Sequence, residues 1–315
     1  MDKNKIIDLL KKLNSNSKIN YSKISNKLNI TRKTLQAYIE NLKKEDIIKN
    51  YTININPYIN PNLKYVILEI KTNPKEPQLV DDLLNLPQIK MLDGIFGEFS
   101  LMAFFIFNDS EEFNQTLNEI DNLMANSYFK KYQIIEIIKI YKTSGIRLSE
   151  LKLNSNFKLD EVDYLILKIL QKEQGIKLIS TYKMKGILKK EYNIEISQST
   201  IYNKIVRLEK FEIILNHTIN FNPKKIGFNG KFIIRIKPID LSKYSEIALK
   251  LEEKKEISDL FRIGEQFGLF AIVRVKTIQD YAGFIKNLYA SGEIEDTFTN
   301  FVLDERISYT NFELY

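Results

Sequence analysis

Two hydrophobic periods alternate along the chain, one helical and one of strands. Ile6, Ile7, Leu9, Leu10 and Leu13 have the spacing of an amphipathic helix, and residues 21–28 give a short second one with Ile24 and Leu28 inward. Asn29-Ile30-Thr31 interrupts the pattern. Thr31 is a good N-cap, and Leu35, Ile39 and Leu42 recur at i, i+4 and i+7, which buries one face of a third helix running to about Glu45. Residues 47–55 then alternate with β-favouring side chains and end at Asn56-Pro57, so they read as a two-stranded wing or as a strand leaving the domain.

The same stretch occurs twice. Residues 30–57 reappear as 196–223 at a constant offset of 166 without a gap, with 13 identities in 28 positions, among them Thr34/Thr200, Ile39/Ile205, Leu42/Leu208 and Pro57/Pro223. A period this long is a duplicated domain rather than a solenoid unit, so the function must be one that two copies serve. In the second copy Leu159-Asp160 opens a helix carrying Leu165, Ile166 and Ile169, and residues 181–192 form a second helix. Ser197 caps a third, with Ile201, Ile205 and Leu208 buried. This copy is about six residues longer between its first and third helices, in the 175–180 loop and the extended second helix.

After each of these segments the pattern becomes strand, helix, strand, strand, helix, strand. In the first copy the elements are 65–71, 78–84, 89–95, 101–107, 111–124 and 132–141; in the second they are 231–237, 243–253, 257–264, 267–275, 278–289 and 296–303. This order predicts a ferredoxin-like α+β unit, an antiparallel sheet with helices on one face. Residues 101–107 are apolar throughout and 267–275 nearly so, whereas a sheet with one wet face should alternate. Both faces are therefore expected to be covered, most simply by a second sheet of the same kind, within one chain or in a partner. The fold class is α+β, with winged helix-turn-helix domains at 1–57 and 159–224 and ferredoxin-like domains at 58–143 and 225–315. The connection 144–158 is polar, yet Ile146, Leu148, Leu151 and Leu153 indicate that it packs.

Charge sharpens this division. Residues 1–57 carry 12 basic and 5 acidic side chains and residues 158–225 carry 13 and 8, while the remainder is net acidic within a total of +7. Cationic excess confined to the duplicated helical segments is the electrostatic footprint of a polyanion-binding surface. With no cysteine and one histidine, disulfides, thiolate metal sites and cysteine nucleophiles are excluded and little remains for acid–base chemistry. No cofactor and no metal is expected. The absence of a membrane-length apolar run and of a secretory leader pattern gives a cytoplasmic expectation with no membrane partner.

The run 159–167, the stretch from Ile196-Ser197 to Leu208-Glu209, Ile226-Gly227 after Asn222-Pro223, and the Gly-acid turns Gly97-Glu98 and Gly264-Glu265 together resemble the Lrp/AsnC family of transcriptional regulators. The resemblance covers nearly the whole chain, twice. It implies double-stranded DNA as partner, pairing through the ferredoxin-like sheets into a homo-oligomer, a dimer or higher, and an amino-acid-like effector at Gly97, Glu98, Gly264 and Glu265. If the third helix of each head enters the major groove, the residues facing base edges are Arg32, Lys33 and Gln36 in one copy and Gln198, Ser199, Tyr202 and Asn203 in the other. Thr31 and Ser197 stand at helix N-termini suited to phosphate. Lys23, Lys43, Lys44, Lys183, Lys204 and Arg207 are candidates for backbone contacts. The family's mid-helix arginine is Tyr38 in the first copy and Lys204 in the second, so the two heads are non-identical. Two alternatives stand beside this: an effector sensor or assembly scaffold without DNA binding, and an enzyme similar to the siroheme decarboxylases. The single histidine, His217, falls in a wing position aligned with Tyr51, which counts against the enzyme.

Overall fold

The computed structural model describes residues 21–151, 158–172 and 179–307. The expected helix at Ile6–Leu13, the 175–178 part of the second-copy loop and Leu153 lie outside the described residues. Chain contacts divide the molecule into two compact units, one containing the described residues up to Ile59 and from 158 to Gly227, the other Asn60–Leu151 and Phe228 onward.

In the first unit, α1 (Tyr21–Leu28) and α2 (Arg32–Lys44) form the turn of one head around Ile24, Leu35, Ile39 and Leu42, all buried. Thr31 caps α2 by accepting the Thr34 N–H at 3.1 Å. Asn29 and Asp46 take positive φ, 56° and 53°, at the breaks on either side of the helix. The other head repeats the plan with α5 (Glu161–Lys172), α6 (Thr181–Tyr192) and α7 (Gln198–Lys210). Ser180 and Ser197 cap α6 and α7, and Asn193 at φ 55° ends α6 in a left-handed C-cap.

Among the described residues the strands that follow do not form a wing within either head. β1 (Ile48–Ile55) pairs antiparallel with β7 (Ile214–Phe221), Tyr51 opposite Ile219 and Ile53 opposite His217, so the strand leaving one head is completed by the strand leaving the other. Burial of every β1 residue from Tyr51 to Ile55 follows from this pairing and from α5, where the Thr52 hydroxyl donates to the Gln171 carbonyl at 3.3 Å. Asn54 Nδ2 donates to Asn216 Oδ1 at 2.8 Å, across the register that sets the two side chains opposite each other.

The second unit contains both ferredoxin-like copies. The first has β2 (Lys64–Ile70), α3 (Pro77–Leu84), β3 (Ile89–Phe96), β4 (Leu101–Phe107), α4 (Ser110–Ala125) and β5 (Tyr132–Thr143), with the short β6 (Ile146–Arg147) turned back on β5. The second has β8 (Gly230–Pro238), α8 (Tyr244–Glu252), β9 (Ile257–Ile263), β10 (Leu269–Val275), α9 (Ile278–Tyr289) and β11 (Ile294–Ile307). Their sheets run β5-β2-β4-β3 and β11-β8-β10-β9, and they join along both edges, β3 with β11 and β9 with β5. The sheet therefore closes on itself and, among the described residues, leaves no long free edge.

Closure explains the unbroken apolar runs. Alternate residues of β4, Leu101, Ala103, Phe105 and Phe107, pack under the helices of their own copy, and Ala271, Val273 and Val275 of β10 do the same in theirs. The intervening Phe104 and Phe270 point inward, where Phe261 stacks on both, at 5.8 and 6.1 Å between centroids. The covering of both faces by a second sheet of the same kind, within one chain, matches the expectation from sequence. The connection also packs: Leu148 is buried beside β5.

Candidate nucleic-acid interface

Each head presents the N-terminal turn of one capped helix. In α2 the hydrophobic stripe Leu35-Ile39-Leu42 faces inward, which leaves Thr31, Arg32 and Lys33 exposed and Gln36 half-buried at its edge. In α7 the stripe Ile201-Ile205-Leu208 does the same, and Ser197, Gln198, Ser199, Tyr202 and Asn203 are exposed. The cap hydroxyls are already engaged: Ser197 Oγ accepts the Thr200 N–H at 3.0 Å and lies 2.7 and 2.8 Å from the hydroxyls of Ser199 and Thr200. These bonds fix the first turn and leave its remaining N–H groups directed outward.

Equivalent positions carry unlike chemistry. By the offset of 166, Arg32 corresponds to Gln198, Lys33 to Ser199 and Gln36 to Tyr202, so one helix offers cations where the other offers neutral donors and acceptors. Lys44 is exposed and Lys43 half-buried at the C-terminal end of α2. The Lys23 side chain lies outside the described residues.

Two of the candidate backbone cations are placed differently from expectation. Lys204 Nζ sits 3.1 Å from Asp163 Oδ1 and also bonds Asp160, and Arg207 Nη2 is 2.5 Å from Asp163 Oδ2. Asp163 lies on the inner face of α5 with its side chain fully buried, and the Lys204 side chain is 16% exposed. A buried carboxylate needs cationic partners, so Lys204 turns into the head, while Arg207, 42% exposed, reaches Asp163 from its edge. Asp160 and Asp163 also exchange N–H bonds at 2.8 and 3.1 Å, which caps α5. Partial burial raises the Asp160 carboxyl, but the Lys204 bond, the Asp163 N–H and the charges of Lys204 and Arg207 together outweigh it and hold the group below the ordinary aspartate value.

The neighbouring helix adds to the expected Lys183 three cations that the sequence had not singled out, Lys185, Lys189 and Lys190. A groove of about 660 Å³ runs along α6 to Gln198 of α7, lined by Tyr182, Lys183, Lys185, Lys189 and Lys190. Tyr182 is 74% exposed, and Lys189 pairs with Glu195. The available signal was the Lys-rich 183–190 stretch, which surrounds the buried positions Met184, Ile187 and Leu188.

The two Gly-Glu turns are brought to opposite seams of the closed sheet. Gly97-Glu98 follows β3, where it meets β11, and Gly264-Glu265 follows β9, where it meets β5. Glu98 is exposed and pairs with Lys131 at 2.5 Å, which holds its carboxyl below the ordinary value. Glu265 is half-buried over Arg235, with Oε1 3.4 Å from Nε, and burial raises its carboxyl despite that cation. His217 is buried in β7 and meets Glu209 at 2.8 Å through Nε2, a packing position within the head unit. Among the described residues no cluster of His, Cys, Asp or Glu is arranged to hold a metal ion, and no helix is long and apolar enough to cross a membrane.

Comparison with known proteins gives three kinds of match. Residues 2–59 match the family model described as the M protein trans-acting positive regulator (MGA) HTH domain. The HTH-type transcriptional regulator FL11 of Pyrococcus furiosus is 30% identical over 145 residues, 46% of this chain and 89% of that protein, and HTH-type transcriptional regulator LrpA of Pyrococcus abyssi is 29% identical over 131 residues, 41% and 84%. Among solved structures, the siroheme decarboxylase NirDL aligns over 96% of this chain and 92% of its own with a TM-score of 0.63. At 11% identity that likeness concerns the fold alone.

Proposed function

The chain belongs to the Lrp/AsnC family of HTH-type transcriptional regulators, and from that premise we propose that it binds double-stranded DNA through two unlike heads, reading a different half-site with each. The observation that carries this reading is the pair of capped helices, α2 and α7, with polar first turns exposed in heads that β1 and β7 join into one unit. Arg32 and Lys33 are suited to the O6 and N7 acceptors of guanine, and Gln36, Gln198 and Asn203 to the donor–acceptor edge of adenine. Lys43, Lys44, Lys183, Lys185 and Lys190 supply phosphate contacts, while Lys204 and Arg207 hold α7 against α5. The protein acts as a regulator, not an enzyme, in the cytoplasm.

Because the sheets pair within the chain, one polypeptide supplies both heads, and any homo-oligomer is built by adding such units. Of the two Gly-Glu turns, Glu98 is the more accessible to an amine-bearing effector, which would take the place of its partner Lys131, whereas Glu265 is half-buried over Arg235.

Titration of the full chain with duplex fragments across a salt series tests the proposal. Affinity should fall steeply with salt, with log K linear in log salt, and Arg32→Ala or Gln198→Ala should weaken specific binding by about 1–3 kcal/mol. Binding that is absent at low salt, or unchanged in both variants, rejects it.

A further inference from the structure

The interior of the closed sheet contains charges. Glu69 on β2 and Arg235 on β8 have 1% and 8% of their side chains exposed, and Glu69 Oε2 lies 2.5 Å from Arg235 Nη2. Gln133 Nε2 donates to the same carboxylate at 2.9 Å, and the Arg235 guanidinium also lies over the Phe298 ring at 5.3 Å. These two residues occupy the same place in the two copies. The offset of 166 that aligns the heads carries Glu69 onto Arg235, and it carries Val66, Leu68 and Ile70, which pack under the first copy's helices, onto Phe232, Ile234 and Ile236, which pack under the second's.

When equivalent positions meet across an interface, pairing of like units brings each residue against its own kind. Two first units would bury Glu69 against Glu69, and two second units Arg235 against Arg235. Only unlike units place the Glu69 carboxylate on a guanidinium, where it adds to the second unit's own Glu265, 3.4 Å from Arg235 Nε. We propose that Glu69 and Arg235 select the pairing partner of each ferredoxin-like unit, committing the first unit to the second and barring either from pairing with another copy of itself. Like charges enclosed away from water penalise the wrong pairings far more than a well-matched ion pair stabilises the right one, so the device acts by exclusion. Its consequence is that every sheet-paired assembly of this chain joins a first unit to a second.

Reversed charges in the full-length chain test this. Glu69→Arg alone and Arg235→Glu alone should each lower the unfolding midpoint by on the order of 10 °C, and E69R/R235E together should restore it. The decisive arm is co-expression of differently tagged E69R and R235E chains. The E69R first unit then matches the R235E second unit and the reverse, so the two chains should be recovered as a 1:1 complex, while neither variant retains a second copy of itself above the wild-type level. A purely structural ion pair gives rescue in the double variant without exchange between chains. Single variants that melt like wild type, a double variant no more stable than the singles, or co-expressed singles that stay apart would each overturn the proposal.

Discussion

Charge at a single residue does not reveal its partner, and Lys204 shows the consequence. Its position in α7 and its sign fit a phosphate contact, but Asp163 occupies the apolar stripe of α5 with Ile166, Leu167 and Leu170, and a carboxylate in such a stripe draws in the nearest cations. Asp163→Ala should therefore destabilise the head by about 3–5 kcal/mol by leaving Lys204 and Arg207 without it. Arg32→Ala, on an exposed first turn, should change stability by less than about 0.5 kcal/mol. Denaturant unfolding of both variants checks the contrast. Glu305 provides a pH test. Burial opposes its ionisation, but Arg274 at 2.7 Å and Lys231 at 3.3 Å outweigh burial and bring its carboxyl from the ordinary 4.5 down to about 2. A group lowered on folding stabilises fully above its unfolded value and loses that contribution as pH falls through its folded value. The Glu305 contribution is thus intact above pH 4.5 and fades toward pH 2, and Glu305→Gln should flatten the fall of the unfolding midpoint across that window. An unchanged slope would show that the contribution comes from elsewhere.

At the scale of elements, helices and strand order were legible because each is written locally. Thr31 and Ser197 cap the helices they were expected to cap, and residues 101–107 and 278–289 form elements with the bounds read from their pattern. Pairing across distance was not legible. The alternation of residues 47–55 specifies a strand with a buried face but not which strand lies beside it, and the partner proved to be β7 of the other head rather than a wing strand. The unbroken run in β4 carried more, since apolar residues on both faces require cover on both. The Gly-Glu turns show the same limit: Gly97-Glu98 and Gly264-Glu265 read alike, and only the fold sets Glu98 in solvent and Glu265 over Arg235. Phe104, stacked on Phe261 between the two sheets, should cost about 3–5 kcal/mol when replaced by alanine, measured by thermal or denaturant unfolding. Ser197→Ala should cost about 1 kcal/mol through loss of the α7 cap and weaken DNA binding as the first turn frays.

For the molecule as a whole, duplication within one chain removes a restriction that symmetric dimers carry. A homodimer presents two copies of one reading surface and so favours a palindromic site. Here β1 and β7 join two heads whose first turns differ at Arg32/Gln198, Lys33/Ser199 and Gln36/Tyr202, so the half-sites are free to differ. The strand pairing also ties the heads together, which calls for one preferred spacing between half-sites. The most direct test is sequencing of the duplex fragments that the purified full chain retains from a genomic or randomised pool at moderate salt. Enrichment of two unlike half-sites, in one order and at one spacing, is the predicted result. Retention of perfect palindromes, or of fragments no different from the input pool, would contradict it.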